Sequence, residues 1–118
     1  MLAHGAVLRK SMFSARELEA IARDYRNAGL APDEVAVMSV AKKVSMHAHE
    51  VTAEDLQELR SHGLPDEEIM DVVLAAAARS FFSKTLDAVG IEPDEVYLEL
   101  EPALLEALCV GRPFHGKE

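Results

Sequence analysis

The chain has 118 residues, 49% of them hydrophobic, with two tyrosines, four phenylalanines and no tryptophan. That length suits one domain spanning residues 1–118, able to withdraw roughly two-thirds of its unfolded surface from water without a disulfide or structural metal. A net charge of −9 and a pI near 5.0 oppose phosphate backbones and anionic membrane surfaces, which need lysine and arginine to neutralise them, so neither nucleic acid nor membrane is expected as a partner.

The aliphatic composition favours helices, and the punctuation between them is plain. Ser14-Ala15-Arg16-Glu17 reads as a capping box opening a helix with Leu18, Ile21, Ala22 and Tyr25 on one face. A second helix is predicted over about 32–47, with Val37, Met38, Val40, Ala41 and Val44 inward. Thr52-Ala53-Glu54-Asp55 caps a short third one ending near Gly63. The main core helix is predicted over about 65–89. Its stripe is Ile69, Val72, Val73, Ala76, Ala77, Phe81 and Leu86, and its small residues at 75–78 permit close helix approach. The tail, about 95–110, holds one or two more helices broken by Pro102, ending at Gly111 and Pro113.

Three joints share one logic: Gly29 to Val35, Gly63 to Ile69 and Gly90 to Val96. In each, a glycine accepts the left-handed conformation that ends a helix, a proline suits the first turn of the next, and acids there face the positive end of its dipole. The segments between joints share no apolar pattern, which argues against a helical repeat array. Nothing alternates with period two, so the expected fold is an all-α bundle of five to six helices.

No apolar run approaches membrane-span length; the longest, 72–78, is alanine-rich and flanked by charge. The start lacks a basic region followed by an apolar signal segment. The lone cysteine, Cys109, cannot form an intramolecular disulfide, and a cytoplasmic location is expected.

Several phrases carry a family resemblance: Tyr25-Arg26-Asn27-Ala28-Gly29-Leu30, then Val51-Thr52-Ala53-Glu54-Asp55-Leu56 leading through Leu59-Arg60 to Gly63-Leu64-Pro65-Asp66-Glu67-Glu68-Ile69, then 81–90. Together they resemble the C-terminal half of the alkylhydroperoxidase-D-like branch of the carboxymuconolactone decarboxylase family. The resemblance implies an all-α fold and a reactive helix with Cys-x-x-Cys, followed four residues later by a histidine. In that family a thiolate attacks the peroxide, the second thiol resolves the sulfenic acid as a disulfide, and a glutamate and the histidine manage protons. Met1-Leu2-Ala3-His4 then reads as the tail of this motif. His4 falls on the histidine and is the catalytic candidate, and the second cysteine falls one position before Met1. The expectation is a chain that starts late relative to the family.

Other residues invite chemistry. Cys109 sits among Leu104, Leu105, Leu108 and Val110, with Arg112 as a nearby cation, which favours an inert core thiol over a nucleophile. His47, His49 and Glu50 have the types of a metal cluster, but alternate residues at a helix end point in different directions, so no metal site is expected. His62 reads as a helix-terminal histidine and His115 as part of a polar tail. Asp66, Glu67 and Glu68 read as first-turn acids. Arg79, Ser80, Ser83 and Lys84 form a polar break in the long helix, the place where a pocket or subunit contact would fall most naturally. No cofactor is called for.

Three functions stay open at this point: an alkylhydroperoxidase-like protein related to antioxidant peroxide reduction but inactive as this chain, a non-catalytic helical oligomerisation or interaction module, and a binder of a small apolar ligand. A homo-oligomer, most simply a dimer, is expected from the long helix, with the face from Val72 to Phe81 at the contact.

Overall fold

Side chains of Ser14 and Thr52 cap the start of two helices of this chain, and left-handed glycines follow the ends of several. The structure is a computed structural model that describes residues 1–111 and Phe114. The described residues form six α-helices: α1 (Leu2–Ser11), α2 (Ala15–Asp24), α3 (Pro32–His47), α4 (Ala53–Ser61), α5 (Asp66–Ala88) and α6 (Pro102–Leu108). Short 3₁₀ turns lie at Tyr25–Asn27, Ala48–Glu50 and Glu95–Glu99, and no strand occurs among the described residues. The fold is all-α, as the sequence pattern implies.

Both expected capping boxes form. Ser14 Oγ accepts from the Glu17 N–H at 3.2 Å while the Glu17 carboxylate accepts from the Ser14 N–H at 2.8 Å, so two orphan donors are satisfied at once. Thr52 and Asp55 repeat the pattern at α4. At the other end of α4, Gly63 has φ +91°. The Leu64 N–H reaches back to the Leu59 carbonyl and the Gly63 N–H to the Arg60 carbonyl, the two bonds of a Schellman stop. Gly29 and Gly90 also take positive φ.

The third joint departs from expectation. Gly90 does end the long helix region, but the following segment makes only the 3₁₀ turn Glu95–Glu99. Pro102 disfavours helical backbone at Glu101, and Leu100 and Glu101 are extended, so α6 starts at Pro102 instead of being broken by it. Of the C-terminal residues assigned from sequence, Gly111 is described; Arg112, Pro113 and His115 lie outside the described residues.

The chain gathers into two compact units. One comprises Met1–Gly29 with the described residues from Asp87 on; the other is Leu30–Leu86. The first unit is built around Leu2, Leu18, Leu104 and Leu108, with Leu8, Phe13, Ala22, Tyr97 and Leu105 packed against them. Its α1 contains residues 2–4, which the family resemblance assigns to the tail of the reactive helix, and runs on to Ser11. The structure gives Gly5 a reason: it is buried, and a Cβ there would lie 2.4 Å from Leu108 Cδ1. The missing side chain lets α1 lie close on α6. Salt bridges Arg9–Glu101 and Arg23–Glu106 sit at the rim.

The second unit packs α3, α4 and α5 around Ala36, Val40, Leu59 and Ile69, with Leu59 fully buried. Lys43 of α3 donates to both Asp55 oxygens of α4 at 2.7 Å, so the N-terminal acid of α4 also ties it to α3. This partly buried bond to Lys43, helped by the Thr52 N–H, holds the Asp55 carboxyl below its ordinary value of 3.8.

Three outcomes are expected. Gly5→Val should lower stability by about 1–3 kcal/mol in denaturant titration through overpacking against Leu108. Gly5→Ala should cost less, because alanine returns up to about 1 kcal/mol of helix propensity. For Asp55, the depressed folded pKa means that its contribution is present above the unfolded value and lost as pH falls through the folded one. Asp55→Asn should therefore lower the thermal midpoint at pH 7, and the gap to the parent should close as pH drops below 3.8. A gap that persists undiminished in acid would show that the carboxylate charge is not its cause.

Candidate functional site

The residues with chemical potential are dispersed over the surface. His4 lies in the first turn of α1 and is exposed. Its neighbour Gly5 faces Leu108, the residue before Cys109. Cys109 follows α6 as its C-cap; its N–H donates to the Leu105 carbonyl at 2.9 Å, and its side chain packs against the core of the first unit. The thiol is free and half-buried. That matches the apolar surroundings read from the sequence, although Cys109 is at the edge of the core and not deep in it.

The histidine pair behaves differently from its spacing. α3 tightens into the 3₁₀ turn Ala48–Glu50, which brings the His47 and His49 rings edge to face with centroids 6.1 Å apart. Both are exposed, as is Glu50. Among the described residues, no group of three or more His, Cys, Asp and Glu side chains is arranged to hold a metal ion. His62 caps the C-terminus of α4, and Asp66, Glu67 and Glu68 occupy the first turn of α5, where Arg60 donates to Asp66 at 2.7 Å. The acids are accounted for by helix-dipole stabilisation.

The long helix holds the main surprise. Ile69 and Ala76 are buried and Val72 and Val73 half-buried, so these residues of the expected contact stripe turn inward. Ala77 and Phe81 do not, and Phe81 is 74% exposed. They join Met70, Leu74 and Ala78 in a second apolar line at helical spacing, exposed to solvent. An i, i+4, i+7, i+8, i+11 count from Met70 finds this line in the sequence, but the inward stripe hides it. In the polar break, Arg79 lies over the Phe82 ring at 5.6 Å and Lys84 donates to the Ser45 carbonyl of α3 at 3.3 Å. Lys84 is thereby partly committed to the fold.

No helix is long and apolar enough to cross a membrane among the described residues. The all-helical fold is shared with a solved alkylhydroperoxidase-D-like protein. A crystal structure titled as the alkylhydroperoxidase AhpD core, an uncharacterized peroxidase-related protein from Ralstonia eutropha JMP134, matches 81% of the chain at 31% identity with a TM-score of 0.70. The chain spans about half the length of that protein, 50% of it. No protein-family model matches the sequence, and no curated protein matches it.

The packing of Cys109 has a measurable consequence. A thiol reagent should label it at least about tenfold faster in denaturant than in the native state, because half-burial restricts approach to the sulfur. Native labelling as fast as that of an unfolded peptide cysteine would place the sulfur outside the core.

Proposed function

We propose that this chain is a peroxidase-related, alkylhydroperoxidase-D-like scaffold that does not itself turn over hydroperoxides and acts by binding. The observation that carries this reading is the thiol inventory. The sequence has one cysteine, and it packs against Leu104, Leu108 and their neighbours. Two-thiol peroxide reduction needs a second sulfur: the first thiolate takes one peroxide oxygen and becomes a sulfenic acid, releasing the alcohol or water, and a second thiol displaces that oxygen as water to close a disulfide. Within these 118 residues Cys109 has no partner for the second step. His4, in the position the resemblance gives to the proton-handling histidine, has no thiol pair in this sequence to serve.

The fold supports binding for a separate reason. A helix apolar on two sides, one of them turned to water, is a feature of contact surfaces. The absence of strongly basic composition directs that contact toward protein and away from nucleic acid.

The test is peroxide consumption by the purified chain with excess dithiothreitol and an alkyl hydroperoxide. The expected rate is that of buffer and reductant, unchanged by His4→Ala and Cys109→Ser. Catalytic turnover that disappears in Cys109→Ser would overturn the proposal.

A further inference from the structure

We infer that His47 and His49 together chelate one borderline divalent transition ion, of the Zn²⁺, Ni²⁺ or Cu²⁺ class, at the C-terminal end of α3. In a regular α-helix, residues two apart point about 200° away from each other and cannot share an ion. Here the backbone leaves the helix at the first of them: His47 has φ −149° and ψ 63°, and the 3₁₀ turn Ala48–Glu50 follows at once. The two rings therefore meet edge to face, with centroids 6.1 Å apart. An ion bonded to one nitrogen of each ring at about 2.0–2.1 Å holds the ring centres roughly 5–6.5 Å apart, so the pair lies within chelating reach. Both side chains are exposed, which leaves the rings room to turn a nitrogen each toward the ion.

The surroundings favour an ion at this place. Among the described residues neither imidazole is held in a hydrogen bond or ion pair. The 16 residues of α3 end here, and the carbonyl end of a helix dipole favours positive charge. The backbone that carries the pair is fastened on both sides: Lys84 donates to the Ser45 carbonyl at 3.3 Å, and the Val51 N–H donates to the Ala48 carbonyl at 3.3 Å. A fixed backbone lowers the cost of bringing two ligands to one ion. Of the cations in this corner, Lys43 is neutralised by Asp55, and Glu50 beside His49 offsets Lys84. Two imidazoles select borderline transition ions over Mg²⁺ and Ca²⁺, which take oxygen ligands. They leave the other coordination positions to water, so the site is open and exchangeable, unlike the four-ligand cage of a structural zinc.

Titration of the chain with Zn²⁺, followed by the imidazole nitrogen NMR signals, tests the pair. The signals of His47 and His49 should move together and saturate at one ion per chain below about 0.5 mM Zn²⁺, while those of His4 and His62 stay in place. His47→Ala and His49→Ala should each weaken binding by at least about tenfold, because the second ligand of a chelate acts at high effective concentration. Circular dichroism of both variants should match the parent, since both side chains are exposed. Millimolar Mg²⁺ should not compete. Histidine signals that move independently of each other, or that do not move by about 0.5 mM Zn²⁺, would overturn the inference. Binding that either single variant retains at the parent's affinity would do the same, since one imidazole would then hold the ion alone. Loss of binding in Cys109→Ser would place the ion on the thiol and overturn it as well. None of these outcomes depends on peroxide turnover, so the ion site and the non-catalytic reading fail separately.

Discussion

The first unit depends on how closely α1 can approach α6. Helices of ten and seven residues are too short to persist alone in water, so α1, α2 and α6 exist because Leu2, Leu18, Leu104 and Leu108 bury one another. Gly5 is the condition for that burial, since any Cβ at its position enters the space of Leu108. The residue after Leu108 is Cys109, so the packing that seats the leucine also fixes how far the thiol is covered. The rim pairs Arg9–Glu101 and Arg23–Glu106 are exposed and contribute much less. Apolar burial, and a glycine that permits it, therefore set the environment of the lone sulfur.

In the second unit the corresponding anchor is Leu59. It has no exposed surface, it precedes the glycine stop of α4, and its carbonyl accepts the bond that closes that stop. Leu64, just beyond the stop, packs back on the same cluster. Local termination and tertiary packing thus select the same backbone conformation, which is why the joint from α4 to α5 is sharp. Lys43 and Asp55 add a charged tie between α3 and α4 that doubles as the α4 cap. A single acid serving both purposes makes this corner sensitive to pH in a way the all-apolar cluster is not.

Much of the fold was legible because its signals are local. Ser14, Thr52, Pro32 and the glycines at 29, 63 and 90 act within four residues of themselves, so their meaning does not depend on distant parts of the chain. What the sequence concealed is decided by tertiary partners. The close approach at Gly5 depends on Leu108, at the far end of the chain, and no local signal announces it. The segment at 95–99 reads as helix until the extended backbone ahead of Pro102 is considered. Val72 and Ala76 share a stripe with Ala77 and Phe81 on paper, yet a helix resting on one neighbour can bury only part of so wide a stripe. His47 and His49 meet because α3 tightens at its end, a change of pitch that spacing alone does not encode. For the candidate site, Cys109 was legible from its leucine neighbours, whereas Met70 and Leu74 were masked by the inward line beside them.

Likeness to a peroxidase-related protein establishes a scaffold, and chemistry resides in the groups placed upon it. Here the two are separable by physical argument. The buried leucines, capping boxes and left-handed glycines account for the fold without reference to any reactive group. The outward face of α5 is different, because it does nothing for the isolated fold. Leu74 and Phe81 are largely wet in the folded chain, as they are in the unfolded chain, and so contribute little to folding. Their apolar surface can lower free energy only on contact with something else. The core and the exposed face of α5 are therefore physically independent: the first holds the fold together, and the second could be changed at Leu74 or Phe81 with little effect on it.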